Sequence, residues 1–274
     1  MAVSAVTGRT LRVCALYPEL LNIYADRGNL LLLRRRCEWR EIEFRLSASG
    51  LREPLDSAAH DLYYIGGGQD RDQRLCAEDL LEHKREALHA ASARGAVVLG
   101  ICGGYQLLGH SYAIGQDLIE GVGLLDVETV REPGPRLIGN VAIEVSLPGA
   151  AATSNHEHGF AGTPHDQHGR RSHATARILA GFENHGGRTR LGPDAQPLGR
   201  VLRGHGNDGR SGFEGARRGL TIGTYLHGPL LPKNAWFADW LIAKALGVAV
   251  EELALLDDAF ERSAHANALR AAGI

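Results

Sequence analysis

Four cysteines, at positions 14, 37, 76 and 102, form no C-x-x-C pair. That argues against a disulfide framework or a thiolate zinc site and suits a reducing compartment. The chain also lacks a dominant charge. Its 30 basic and 32 acidic residues make no field that would draw it to nucleic acid or acidic lipid. No apolar run approaches the roughly 18 residues a membrane span needs, and the opening segment MAVSAVTGRT has no apolar centre of the kind a secretory signal carries. There is no G-x-x-x-x-G-K-[ST], hence no evident phosphate loop for ATP. The expectation is a cytoplasmic protein long enough for one large α/β domain or two small ones.

Most of the chemical information lies in VVLGICGGYQLLG, residues 97–109. Val97, Val98 and Leu99 read as a strand buried on both faces of a parallel sheet. Tyr105 to Leu108 read as the first turns of a helix. Cys102 sits between them among Gly100, Gly103 and Gly104. A nucleophile on a sharp strand-to-helix turn needs such neighbours, because glycine accepts strained dihedrals and lets other backbone approach. The pattern is the cysteine counterpart of the serine elbow G-x-S-x-G. The helix N-terminus sets partial positive charge beside the sulfur, and the Gly103 N–H is placed for an oxyanion. A buried structural cysteine before a glycine turn is the alternative; the coincidence of strand, glycines and helix favours the nucleophile.

The rest of the chain frames that elbow. Strands are expected at Leu11–Tyr17, Glu41–Leu46 (the latter alternating) and Asp61–Ile65, with helices from Leu20 to about Arg36 and from Ala77 to Arg94. Cys14 reads as core, and Arg34–Arg36 as a solvated helix end that complements the helix dipole. The order β-α-β-β-α-β implies a mostly parallel sheet with helices on both faces. Gly66, Gly67 and Gly68 close the third strand, where open α/β sheets place ligands and where backbone N–H groups can hold an anion. Leu124–Val130 and Ile138–Val145 alternate as added antiparallel strands. Arg136 between them could grip a carboxylate, although alone it reads as a surface arginine. The histidines of 151–177 (His156, His158, His165, His168, His173) show no H-x-x-x-H on a helix, no paired cysteine and no periodicity, so this stretch reads as a flexible polar insertion rather than a zinc site. Leu220–Leu226 is a buried strand ending at His227, in position to serve Cys102 as a base. Helices Asn234–Leu246 and Glu251 to about Ala272 end the chain, with Trp236, Phe237, Trp240 and Leu241 spaced for packing.

Six stretches together resemble one family: YPELLNIYADRGN (17–29), YYIGGGQDRDQ (63–73), LGICGGYQLLG (99–109), RLIGN (136–140), GFENHGGRT (181–189) and GTYLHGPLLPKN (223–234). The elbow alone resembles that of the class I glutamine amidotransferases, G-x-C-x-G. The full set is similar to the GatD subunits of lipid II isoglutaminyl synthase, a branch of the cobyric-acid-synthase-like amidotransferases. The resemblance implies a flavodoxin-like α/β fold over a single domain spanning 11–274. It implies Cys102 as nucleophile, His227 as base, Arg136 and Gln106 as substrate-binding residues, and Gly67, Gly68 and Gly103 as oxyanion-hole donors, with no metal and no cofactor on this chain. Class I enzymes usually carry an acid two residues after the histidine. Here that residue is Pro229, and the cobyric-acid-like branch generally lacks the acid, so the group that orients the imidazole must come from elsewhere, an acid of the partner subunit being one candidate. The implied partner is a MurT-like, Mur-ligase-family subunit that binds ATP and Mg and amidates lipid II at the inner face of the membrane, in peptidoglycan synthesis. A cobyric-acid-type acceptor, a stand-alone γ-glutamyl cysteine hydrolase and a redox-sensing or scaffold subunit remain alternatives.

Overall fold

Consecutive apolar residues form strands only where both faces are covered, and Val97, Val98, Leu99 and Ile101 are fully buried in the middle of the principal sheet. The computed structural model describes residues 6–22, 27–115, 117–149 and 177–274. The first half runs β1 (Thr10–Leu16), α1 (Arg27–Glu38), β2 (Glu43–Ser49), β3 (Leu62–Ile65), α2 (Asp70–Asp79), a π-helical turn (Leu80–Lys84), α3 (Arg85–Ala93), β4 (Val97–Ile101) and α4 (Gly103–Leu108). Next come β5 (Ser111–Ile114), β6 (Asp117–Glu120), β7 (Val127–Arg131), β8 (Leu137–Val145), β9 (Arg177–His185), β10 (Gly187–Leu191), β11 (Gly199–Arg203), β12 (Phe213–Glu214), β13 (Ala216–Arg218) and β14 (Thr221–Thr224). Helices α5 (Ala235–Leu246) and α6 (Ala259–Ala272) close the chain.

The principal sheet has the order β13-β14-β4-β3-β1-β2. All its pairs are parallel except β13–β14. Helices α1 and α5 pack on each other, and α5 also on β1 and β4. The remaining strands build two four-stranded sheets, β10-β7-β5-β6 and β12-β11-β8-β9. The added strands expected near 124–130 and 138–145 are therefore present as β7 and β8, each in its own sheet. β5 and β6 have no counterpart in the expected elements.

Several elements differ from expectation for identifiable reasons. The first helix starts at Arg27, not Leu20. Tyr17 takes a φ of +51° and its carbonyl accepts the N–H groups of both Leu20 and Leu21, so the chain turns there. The second helix begins earlier, at Asp70, and is interrupted at Leu80–Lys84, where buried Lys84 turns inward to pair with Asp79. The last helix starts only at Ala259, after a 3-10 turn at Val250–Glu252.

Arg36 corrects the reading of a solvated helix end. It is fully buried, bonded to Asp239 at 2.5 and 2.6 Å and to Asp258 at 2.8 and 3.0 Å. Arg40 grips Asp239 as well, at 2.8 and 2.9 Å. The two acids come from α5 and the residue before α6, so this ion cluster locks the C-terminal helices to α1. Phe237, Trp240 and Leu241 are buried core residues, as expected. The histidine-rich stretch of 151–177 lies outside the described residues except for Arg177, which opens β9, and residues 23–26, which include the start of the YADRGN motif, lie outside them as well. Among the described residues no helix is long and apolar enough to cross a membrane.

Candidate functional site

The turn from β4 into α4 has the strain expected of an elbow. Cys102 adopts φ +51° and ψ −103°, a conformation costly for any side-chain-bearing residue. Its N–H donates to the Thr224 carbonyl at 2.8 Å, fixing the turn to β14. Behind it Gly104 packs against backbone and Gly103 against a side chain. A Cβ on Gly104 would lie 2.3 Å from the Ile65 carbonyl oxygen, and one on Gly103 2.1 Å from Gln73 Nε2. The Gly104 N–H donates to the Gly66 carbonyl at 3.1 Å, which draws the triglycine loop against the elbow. The Gly103 N–H belongs to the first turn of a helix, where no intrahelical acceptor exists. Since α4 has only six residues, local N–H groups count for more here than a long macrodipole.

Cys102 is 8 % exposed and opens on a cleft of about 530 Å³, partly continuous with solvent. Its walls come from the triglycine loop and α2 (Gly68, Asp70, Gln73), from α4 (Gln106), and from the segments carrying Arg131, Arg136 and Asn184 to Gly187. The other three cysteines are buried in the core. Burial pushes the Cys14 thiol up to about 11 and those of Cys37 and Cys76 up to about 12, which keeps them protonated.

His227 follows β14 by three residues, and Thr224 is in register with Ile101, the residue before Cys102. Cysteine and histidine thus leave the same edge of two neighbouring parallel strands. His227 is fully buried and its backbone forms a two-way bridge with Phe182 at 2.8 and 3.2 Å. The loop after it is clamped by α1. The Gly28 Cα side faces Pro229, where a Cβ would lie 2.6 Å from Cγ, and the Asn29 side chain accepts the Leu231 N–H at 2.8 Å while donating to the Tyr64 hydroxyl at 3.0 Å. That is the physical content of the RGN part of the N-terminal motif. On the far side, Asn234 does not cap its own helix. Its side chain exchanges bonds with the Ala180 N–H and carbonyl at 2.9 and 2.8 Å.

Arg136 lies at the cleft, held by two bonds of 2.8 Å to the Asn184 side chain and carbonyl. Gln106 also lines the cleft. Its Oε1 accepts Gln73 Nε2 at 3.0 Å and its Nε2 donates to the Tyr225 hydroxyl at 3.2 Å, leaving one N–H for a ligand. Gly68 faces the cleft and Gly67 is buried beside it.

Sequence reasoning did not single out Gln73, Asn184 or His185 as cleft residues. His185 is buried, donates from Nδ1 to the Gly187 carbonyl at 2.9 Å and has Nε2 3.9 Å from Glu183. Burial alone would raise the Glu183 carboxyl; the nearby His185 ring, together with bonds from the His205 N–H, the His205 side chain and the Gly206 N–H, outweighs it and holds the group below the usual carboxylate range. The one available signal was the unusual string GFENHGG, whose Glu183 and His185 are buried only through tertiary contacts.

The fold and cleft define a class. PurLQS of Thermotoga maritima superposes with a TM-score of 0.53 over 94 % of this chain and 99 % of that one, at 18 % identity, which is a likeness of fold. The CobB/CobQ-like glutamine amidotransferase domain matches residues 12–235. The lipid II isoglutaminyl synthase (glutamine-hydrolyzing) subunit GatD of Streptococcus pneumoniae is 35 % identical over 238 residues, covering 86 % of this chain and 80 % of that protein. Its Staphylococcus aureus counterpart is 37 % identical over 229 residues, covering 83 % and 81 %. The chain therefore belongs to the CobB/CobQ-like glutamine amidotransferases and, within them, to the GatD family.

Proposed function

We propose that this chain hydrolyses L-glutamine through a Cys102 thioester and delivers the ammonia to a ligase subunit that amidates lipid II. The observation that carries the proposal is the strained Cys102 at the mouth of the cleft, between β4 and α4. The other three cysteines, buried in strand and helix interiors, offer no such setting.

The chemistry follows from the residues around it. Arg136, pre-oriented by Asn184, holds the substrate α-carboxylate, and the free N–H of Gln106 adds a second contact. The Cys102 thiolate attacks the side-chain amide carbon. The Gly103 N–H, with Gly67 or Gly68, stabilises the tetrahedral oxyanion. His227 donates a proton to the departing nitrogen, which leaves as ammonia, and a γ-glutamyl thioester remains. Water deprotonated by His227 then attacks the thioester carbon, releasing glutamate and restoring the thiolate.

Ammonia released into bulk water is protonated and lost as a nucleophile. The acceptor site must therefore adjoin this cleft, on a second subunit, since this chain carries no phosphate-loop motif. The names of the two GatD relatives support lipid II as acceptor. A MurT-like subunit binding ATP and Mg would activate the D-glutamate α-carboxylate of its stem peptide and yield D-isoglutamine, at the cytoplasmic face where the lipid-linked substrate is met. An acidic side chain of that subunit would orient His227 in place of the acid that Pro229 displaces.

Glutamate release from L-glutamine, with and without the ligase subunit, tests the half-reaction. Wild type should release glutamate and Cys102→Ala should fall to background. Equal rates in the two, in the complex, would overturn it.

A further inference from the structure

One buried phenol braces the cleft from behind. Tyr225 directly follows β14, two residues before His227, and is fully buried. Its hydroxyl accepts Gln106 Nε2 at 3.2 Å and lies 2.6 Å from Thr189 Oγ1, which in turn is 2.7 Å from Thr129 Oγ1. Its ring lies flat on His185, with centroids 3.6 Å apart and planes 3° from parallel, and meets Tyr105 edge-on at 5.1 Å. Helix α4, the end of β9 and strand β10 thus converge on one side chain, carried by the segment that also bears His227. Burial pushes the phenol up to about 12, so across neutral pH it keeps its proton and can both donate and accept.

We propose that Tyr225 is a positioning residue for glutamine binding, its hydroxyl holding the Gln106 carboxamide in the orientation that leaves an N–H for the substrate. Gln73 occupies the Gln106 carbonyl oxygen, so Tyr225 supplies the second of the two bonds that stop the carboxamide rotating about its last torsion. A carboxamide held beforehand costs the incoming ligand nothing to order; a loose one must be ordered by the ligand. Tyr225→Phe removes one oxygen and leaves both ring contacts in place. The inference rests on the glutaminase role proposed above.

The test is steady-state glutamate release by the complex for wild type, Tyr225→Phe, Gln106→Met and the double variant, with thermal melts alongside. The expected result is a KM for glutamine raised about five- to tenfold in Tyr225→Phe, as for loss of one neutral hydrogen bond, with kcat within about twofold. The double variant should be no worse than Gln106→Met alone, because Tyr225 acts through Gln106. An unchanged KM, effects that multiply in the double variant, or a lowered melting temperature with wild-type kinetics would overturn this inference alone. Wild type no faster than Cys102→Ala would overturn the glutaminase role, and this inference with it.

Discussion

At Cys102 the backbone is held in dihedrals that a side-chain-bearing residue rarely adopts. Its dihedrals cost an L-residue on the order of 1–3 kcal/mol and cost glycine little. The usual ranking of alanine over glycine should therefore invert there. Cys102→Gly is expected to be more stable than Cys102→Ala by about 1 kcal/mol in urea denaturation; equal stability, or a more stable alanine variant, would mean that the turn is not strained. At this scale the elbow was legible because its signal is local: a cysteine with glycines two before, one after and two after. Tyr225 and His185 were not. Their positions matter through a ring stack between β9 and the segment after β14, a contact that no spacing within either stretch encodes.

At the scale of elements, β14 is held by an acid that burial keeps protonated. Glu214 in β12 is fully buried and takes bonds from the Thr224 hydroxyl at 2.8 Å and the Tyr225 N–H at 2.6 Å. Burial pushes its carboxyl up to about 8, against the opposing pull of those bonds. The folded chain thus keeps a proton that the unfolded chain loses near pH 4.5. Stability contributed by this group is present below that pH and is lost as pH rises toward 8. Denaturation midpoints should fall across that window, and Glu214→Gln should flatten the fall; an unchanged slope would contradict the assignment. The ion cluster of α1 gives a second prediction. Arg36→Met leaves Asp258 and part of Asp239 without a partner, and should cost about 3 kcal/mol by urea denaturation, whereas a solvated arginine would cost almost nothing. The run Arg34–Arg36 looked like an ordinary helix end because its carboxylate partners lie some 200 residues away in sequence.

For the whole molecule, the parallel sheet was legible because buried strands carry uninterrupted apolar runs, LYYI and VVLGI among them. The two smaller sheets were legible only in part. β6 is DLIE, mostly exposed, and its pairing with β5 does not depend on an apolar face. The position of Cys102 and His227 follows from the larger topology. Both leave the carboxyl edge of adjacent parallel strands, where open α/β sheets put their chemistry. Under the proposed function the acceptor half of the reaction lies on a second subunit, so amide transfer to lipid II should require both subunits while Cys102-dependent glutamate release reads this one.

The most direct test of the central claim is covalent capture at Cys102. The complex would be incubated with a diazoketone analogue of glutamine, and peptides covering the four cysteines examined by mass spectrometry. A single adduct on the Cys102 peptide, suppressed by excess L-glutamine, is the predicted result. No adduct there, or labelling that glutamine does not suppress, would contradict a thioester mechanism in this cleft.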